Sequence, residues 1–143
     1  MGWITDNVLL AGGGISPTNW QQVVELNISA VVNLRSEHQN VFAEPWPIAY
    51  LWLPVADQTE PTVEQLLLGA QFIHANVQAN RKVLVHCRMG IHRSATVVRA
   101  YLLYTGLSLD DALAKLGENG PRLYGTEREL ALLNEFSHQL KRG

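Results

Sequence analysis

The sequence predicts an α/β fold with a mostly parallel central sheet flanked by helices. Three observations carry this. Short, β-branched apolar runs alternate with segments of helical periodicity over the first hundred residues. The run KVLVH at 82–86 is apolar nearly throughout, as in a strand covered on both faces. The last third of the chain carries helical patterns alone.

Residues 8–14, VLLAGGG, read as a short strand running into a turn. Ser16 caps a helix with Pro17 in its first position, extending to about Asn27. Residues 29–34 are short and β-branched and form a second strand; 36–47 is a polar loop containing prolines. Residues 48–55 form the next strand, with Pro54 marking its end. After the loop 56–61, Thr62 and Gln65 make a capping box. The helix behind it carries a packing stripe of Val63, Leu66, Ala70, Ile73 and Val77. The helix that begins near Arg93 is apolar on almost every side through Leu103, which predicts burial. Ser108 with Asp111 opens another helix, with Leu109, Ala112, Leu113 and Leu116 as its apolar positions. A loop follows at 117–125, and Thr126 with Glu129 caps a last helix carrying Leu130, Leu133 and Leu140.

The 143 residues suit one domain, and 1–143 is expected to form a single minimal one. The net charge of −2, with no Lys/Arg block, gives no basis for nucleic-acid binding. One cysteine excludes an internal disulfide framework and points to a reducing, cytoplasmic setting. No apolar run reaches the roughly 18 residues that span a bilayer, so no membrane insertion is expected. The N-terminus lacks the charged start and apolar stretch of a signal peptide. A monomer is expected.

The chemistry gathers in VLVHCRMGIHRSATVVRAYL, residues 83–102. Cys87 ends a strand, and in open α/β sheets ligands bind at the C-terminal strand ends. The N–H groups of residues 88–93 can curl into a nest, with the next helix aiming its positive end at the same point. Gly90 allows the tight curl. Such a nest holds a phosphate-sized anion and stabilises a thiolate, the nucleophilic form of sulfur. Arg93 can grip two phosphoryl oxygens with its planar fork. Ser94 can hydrogen-bond the sulfur and help it leave. His86 is expected to fix the loop from behind. His86, His92 and Cys87 as metal ligands would be a weak cluster with no second one. Gly12, Gly13 and Gly14 lack the Lys-Ser/Thr of a phosphate-cradling loop and read as a turn. Trp52, in a strand, is expected in the core; Trp46, in a proline loop, is left open.

HCRMGIHRS matches the His-Cys-x5-Arg-Ser signature of the cysteine-based protein tyrosine phosphatases. DNVLLAGGG, ISAVVNLRSE, LPVAD, VLVHC and RSATVVRAYLL are similar, in order, to the pattern of its dual-specificity branch. The resemblance covers most of residues 4–140. It implies that family's fold and a phosphomonoester hydrolase working through a phosphocysteine. Cys87 is then the nucleophile, and Arg88, Met89, Gly90, Ile91, His92 and Arg93 form the phosphate-binding loop. It also implies a general acid on an upstream loop. Asp57 lies 30 residues before Cys87, after a strand, and fits that position; Glu60 is the alternate. No metal or other cofactor is implied. Substrates would be phosphotyrosine and phosphoserine or phosphothreonine in proteins, or a small phosphomonoester. An inositol phosphate or phosphoinositide is the alternative. That branch of the family carries lysines one and four places after the cysteine, where this chain has Arg88 and Ile91. A phospho-ligand reader without turnover is a third reading; members of that kind lack the cysteine, the arginine or the acid. The role of Arg122 is left open.

Overall fold

The structure, a computed structural model, describes residues 2–88, 92–119 and 127–142, the side chains of 117–119 excepted. Five strands form one sheet: β1 (Gly2–Thr5), β2 (Val8–Gly12), β3 (Ile28–Arg35), β4 (Ala49–Val55) and β5 (Lys82–Cys87). Their order is β1-β2-β5-β3-β4, antiparallel only between β1 and β2. The helices are α1 (Pro17–Glu25), α2 (Val63–Gln78), α3 (His92–Tyr104), α4 (Leu109–Asn119) and α5 (Glu127–Arg142). The expected fold class is the observed one.

The two-residue strand period sorts side chains between two cores. Val8, Leu10, Ala30, Val32, Leu34, Val83, Val85 and Cys87 face α2, α3, α4 and α5. Leu9, Ala11, Val31 and Leu84 face the other way, against Trp20 of α1 and Phe42. β5 is central, which explains its unbroken apolar run: both of its faces are covered. α3 is likewise buried at every position from Arg93 to Leu103, as its all-round apolarity requires.

The capping chemistry read from the sequence sets the helix starts. Ser16 accepts from the Asn19 N–H, Thr62 from the Gln65 N–H, and Ser108 from the Asp111 N–H. α1 and α2 end where Asn27 and Asn80 take left-handed backbones, with φ of 65° and 62°. Three expectations need correction. The sheet gains an antiparallel strand, β1, with only four residues of its own. α4 runs through Asn119, three residues into the expected loop; residues 120–126, including Arg122 and Thr126, lie outside the described residues. Trp52 is 37% exposed, not core. β4 is an edge strand, so the face that carries Trp52 is only partly covered, and its indole N–H instead donates to the Arg35 carbonyl at 2.7 Å. The same edge position tolerates Pro54 within the strand.

Two contacts fix how α3 sits. Arg99 Nη1 and Glu129 Oε1 are 2.6 Å apart, both buried, and tie α3 to α5. Removing one partner of such a pair costs about 3–5 kcal/mol. On the α2 side, a Cβ at Gly69 would stand 2.7 Å from Val97 Cγ1. Val97 is β-branched on a helix and has little rotamer freedom to yield. Gly69→Ala should therefore cost about 1–2 kcal/mol despite alanine's better helix propensity, lowering Tm by several degrees. Val97→Ala in the same chain should recover part of that loss. A thermal melt showing Gly69→Ala as stable as wild type would contradict the close approach of α2 to α3.

Candidate active site

All four parallel strands end at one edge of the sheet, which brings Gly12 beside Cys87 and Asn33 beside His86. Cys87 is the last residue of β5 and points to the α3 side. Its Sγ is buried, 3.2 Å from Ser94 Oγ and 3.5 Å from the Arg88 carbonyl oxygen. Ser94 lies in the first turn of α3, where backbone N–H groups lack intrahelical acceptors and the helix dipole is positive. Met89, Gly90 and Ile91, the middle of the expected loop, lie outside the described residues.

Arg93 is 1% exposed. A guanidinium has five N–H donors. Nη1 donates to Glu37 Oε1 at 2.9 Å and to the Val55 carbonyl at 2.6 Å. Nη2 donates to Glu37 Oε2 at 3.1 Å. Glu37 thus occupies the Nη1–Nη2 edge bidentately. The Nε–Nη2 edge keeps two parallel donors with no hydrogen-bond partner among the described residues, and it suits two oxygens of a phosphoryl group. Hydrogen bonding from Arg93, opposed in part by burial and helped by Arg35, brings Glu37 down from 4.5 to about 2. The same bond raises the Arg93 pKa, against its burial, with the charges of Glu37, Cys87 and Asp57 adding to it.

Asp57 follows β4 and comes near both arginines: Oδ1 is 3.7 Å from Arg93 Nη2 and Oδ2 is 3.9 Å from Arg88 Nη1. Half of its side chain is open to solvent. Gln58 beside it holds a left-handed φ of 64°, closing a turn in which Thr59 N–H donates to the Ala56 carbonyl. Glu60, the alternate acid, is turned to the loop side and bonds His92 Nε2 at 3.2 Å. Cys87, Arg88, His92, Arg93, Ser94 and Asp57 are thus gathered around one point. A buried thiol, a guanidinium with a vacant fork, a helix N-terminus and a carboxyl group form an arrangement that can bind and transfer a phosphoryl group.

Residues 15–142 match the family model described as dual specificity phosphatase, catalytic domain. The chain belongs to that family. It is 33% identical over 140 residues to dual specificity protein phosphatase Mpk3 of Drosophila melanogaster, a match covering 96% of this chain and 34% of that protein. This chain therefore spans about a third of Mpk3. The crystal structure of Tk-PTP in its active form superposes with a TM-score of 0.83 at 30% identity, covering 96% of this chain and 95% of the other. The structure of PTPMT1 in complex with PI(5)P superposes with a TM-score of 0.84 at 25% identity, covering 97% and 95%.

In this phosphatase domain His86 stands directly before Cys87 on β5. The strand period sends it to the face opposite Cys87, where it is buried. Its Nδ1 lies 2.7 Å from the Gly13 carbonyl, an acceptor only, so Nδ1 carries the proton. Nε2 then accepts from Asn40 Nδ2 at 2.9 Å. Burial lowers its pKa from 6.5 to about 4, against the Gly13 hydrogen bond. Of the three glycines read as a turn, Gly12 still belongs to β2; the chain bends at Gly13, with φ +96°, and a Cβ on Gly14 would come within 2.8 Å of Arg35 Nη1. Trp46 is largely exposed and its ring meets Phe42.

The sequence reading passed over Glu37 and Asn40 in the polar loop after β3. The one available signal was Arg93 itself: an arginine headed for burial needs a carboxylate.

Two predictions follow from this geometry. Glu37→Ala should weaken inorganic phosphate binding, measured by calorimetry, by about tenfold or more, since Arg93 loses its alignment; unchanged affinity would contradict the division of the fork. Between about pH 6.5 and 4 the unfolded chain takes up a proton at His86 that the folded chain refuses. The stability His86 gives is therefore full above about pH 6.5 and falls as pH drops toward 4, by up to about 1.4 kcal/mol per unit. In urea melts at pH 7 and pH 5, His86→Asn should show a smaller acid loss than wild type, and an identical loss would refute the assignment.

Proposed function

We propose that this domain hydrolyses phosphomonoesters without a metal ion, through a phosphocysteine on Cys87, with phosphotyrosine and phosphoserine or phosphothreonine in proteins as substrates. The observation that carries this reading is that the buried Cys87 sulfur and the buried Arg93, whose Nε–Nη2 edge has no hydrogen bond among the described residues, stand at one helix N-terminus. The phosphoryl oxygens lie on that edge and on the loop amides. The Cys87 thiolate attacks phosphorus, and the bond from phosphorus to the leaving oxygen breaks. Asp57 gives its proton to that oxygen, so no alkoxide or phenolate is released. In the second half Asp57 takes a proton from water, whose oxygen attacks phosphorus. The phosphorus–sulfur bond breaks, Ser94 stabilises the returning thiolate by a hydrogen bond, and phosphate leaves. Positive charge from Arg93 and the amides neutralises the transferring group throughout. The name of the relative Mpk3, a dual specificity protein phosphatase, supports a protein substrate.

Arg88 and Arg128 favour a second reading. Both are largely exposed beside the acid loop, one 3.9 Å from Asp57 and the other 3.9 Å from Glu60. A basic rim suits a multiply phosphorylated inositol headgroup, and the PTPMT1 relative was crystallised with PI(5)P. Comparing kcat/KM for a phosphotyrosine peptide with that for PI(5)P in detergent separates the two readings.

In EDTA near pH 6, the wild-type domain should release phosphate from an aryl phosphate. Cys87→Ser should lower kcat by about four orders of magnitude or more, and Asp57→Asn by about 10²- to 10³-fold. Full activity in Cys87→Ser, or loss of wild-type activity in EDTA, would overturn the mechanism.

A further inference from the structure

Among the described residues, the contacts that Asp57 itself makes across the site are long ones. Asp57 is half exposed and reaches the arginines only at 3.7 and 3.9 Å, too long for hydrogen bonds. Its turn passes through a left-handed Gln58, a backbone that a residue with a Cβ adopts at a cost. The internal bonds, Gln58 N–H to Asp57 Oδ1 and Thr59 N–H to the Ala56 carbonyl, close the turn but do not orient it over Cys87.

One contact does tie the loop to the phosphate-binding side. Glu60 Oε1 accepts from His92 Nε2 at 3.2 Å, with Glu60 only 14% and His92 25% exposed. His92 is the first residue of α3 and the direct neighbour of Arg93. Arg128 of α5 lies 3.9 Å from the other Glu60 oxygen but is 79% exposed, where such a pair adds little. Behind Glu60, the Thr62–Gln65 capping box anchors the loop to α2, and Gln65 Nε2 also donates to the Pro54 carbonyl. Among the described residues, the loop is therefore fixed at its far end by α2 and tied to α3 by the Glu60–His92 hydrogen bond.

We propose that Glu60, acting through His92, is the positioning residue that holds Asp57 at the leaving-group oxygen. This rests on the phosphocysteine mechanism above and deepens it. Glu60 transfers no proton; it links the loop that carries the acid to the helix that carries Arg93, so acid and phosphoryl group keep one geometry.

A general acid matters most when the leaving group is a poor one. The test uses phenyl phosphate and p-nitrophenyl phosphate with wild type, Glu60→Ala, Glu60→Gln, His92→Ala and Cys87→Ser. Glu60→Ala should lose about 10- to 30-fold in kcat on phenyl phosphate and less than about threefold on p-nitrophenyl phosphate, and His92→Ala should lose at least as much as Glu60→Ala on phenyl phosphate. In Glu60→Ala, KM and inhibition by inorganic phosphate should stay within about twofold, and removing Glu60 from His92→Ala should cost nothing further on phenyl phosphate. Glu60→Gln, which keeps an acceptor for His92, should recover most of the loss. Equal losses on both substrates would mean a merely structural role and overturn the proposal, as would no loss at all. Activity surviving in Cys87→Ser would instead refute the mechanism beneath it. Hydrogen exchange needs no turnover: amides of residues 57–59 should exchange faster in Glu60→Ala and His92→Ala than in wild type. Unchanged exchange would also overturn the proposal.

Discussion

The rest of the site depends on one buried charge. Taking a guanidinium out of water is expensive unless its donors are satisfied, and Arg93 is almost wholly out of water. Glu37 and the Val55 carbonyl meet three of its five donors. They also lock its plane, since a bidentate carboxylate fixes a guanidinium in two directions at once. What is left is the Nε–Nη2 edge, held in a fixed plane. On the proposed mechanism, burial serves binding: the fork is ordered before any phosphoryl group arrives, so little entropy is lost on contact.

Sheet geometry supplies the remainder. Because side chains alternate along β5, His86 and Cys87 go to opposite faces. The cysteine meets α3 and its positive end, while the histidine is held from the α1 side by Gly13 and Asn40. The strand end is thus braced on the face away from the chemistry. β3 and β4 end at the same edge, and the loops that follow them deliver Glu37 and Asp57. The ends of these strands bring Glu37 and Asp57, 50 and 30 positions before Cys87 in sequence, to the guanidinium of Arg93.

Much of this was legible locally. Strand β5, the buried α3 and the helix starts follow from runs, periodicity and caps that lie within a few residues of one another. Cys87, Arg93 and Ser94 share one loop and one helix turn, so their spacing alone brings them together. Partners chosen across the sheet were not legible. Glu37 reaches Arg93 over 56 positions and Asn40 reaches His86 over 46, and nothing near either residue reports strand order. Trp52 was misread for the same reason: a strand pattern does not say whether the strand lies at the edge. β1 was missed because four residues give too short a period, and its pairing to β2 exists only once the turn between them closes.

The measurement that bears most directly on the central claim is the trapping of the covalent intermediate. Domain turning over an aryl phosphate is quenched in acid, digested and examined by mass spectrometry. The expected result is one phosphoryl group on the peptide that carries Cys87. Turnover with no phosphorylated peptide under conditions that preserve a thiophosphate, or with the phosphoryl group on another residue, would contradict it.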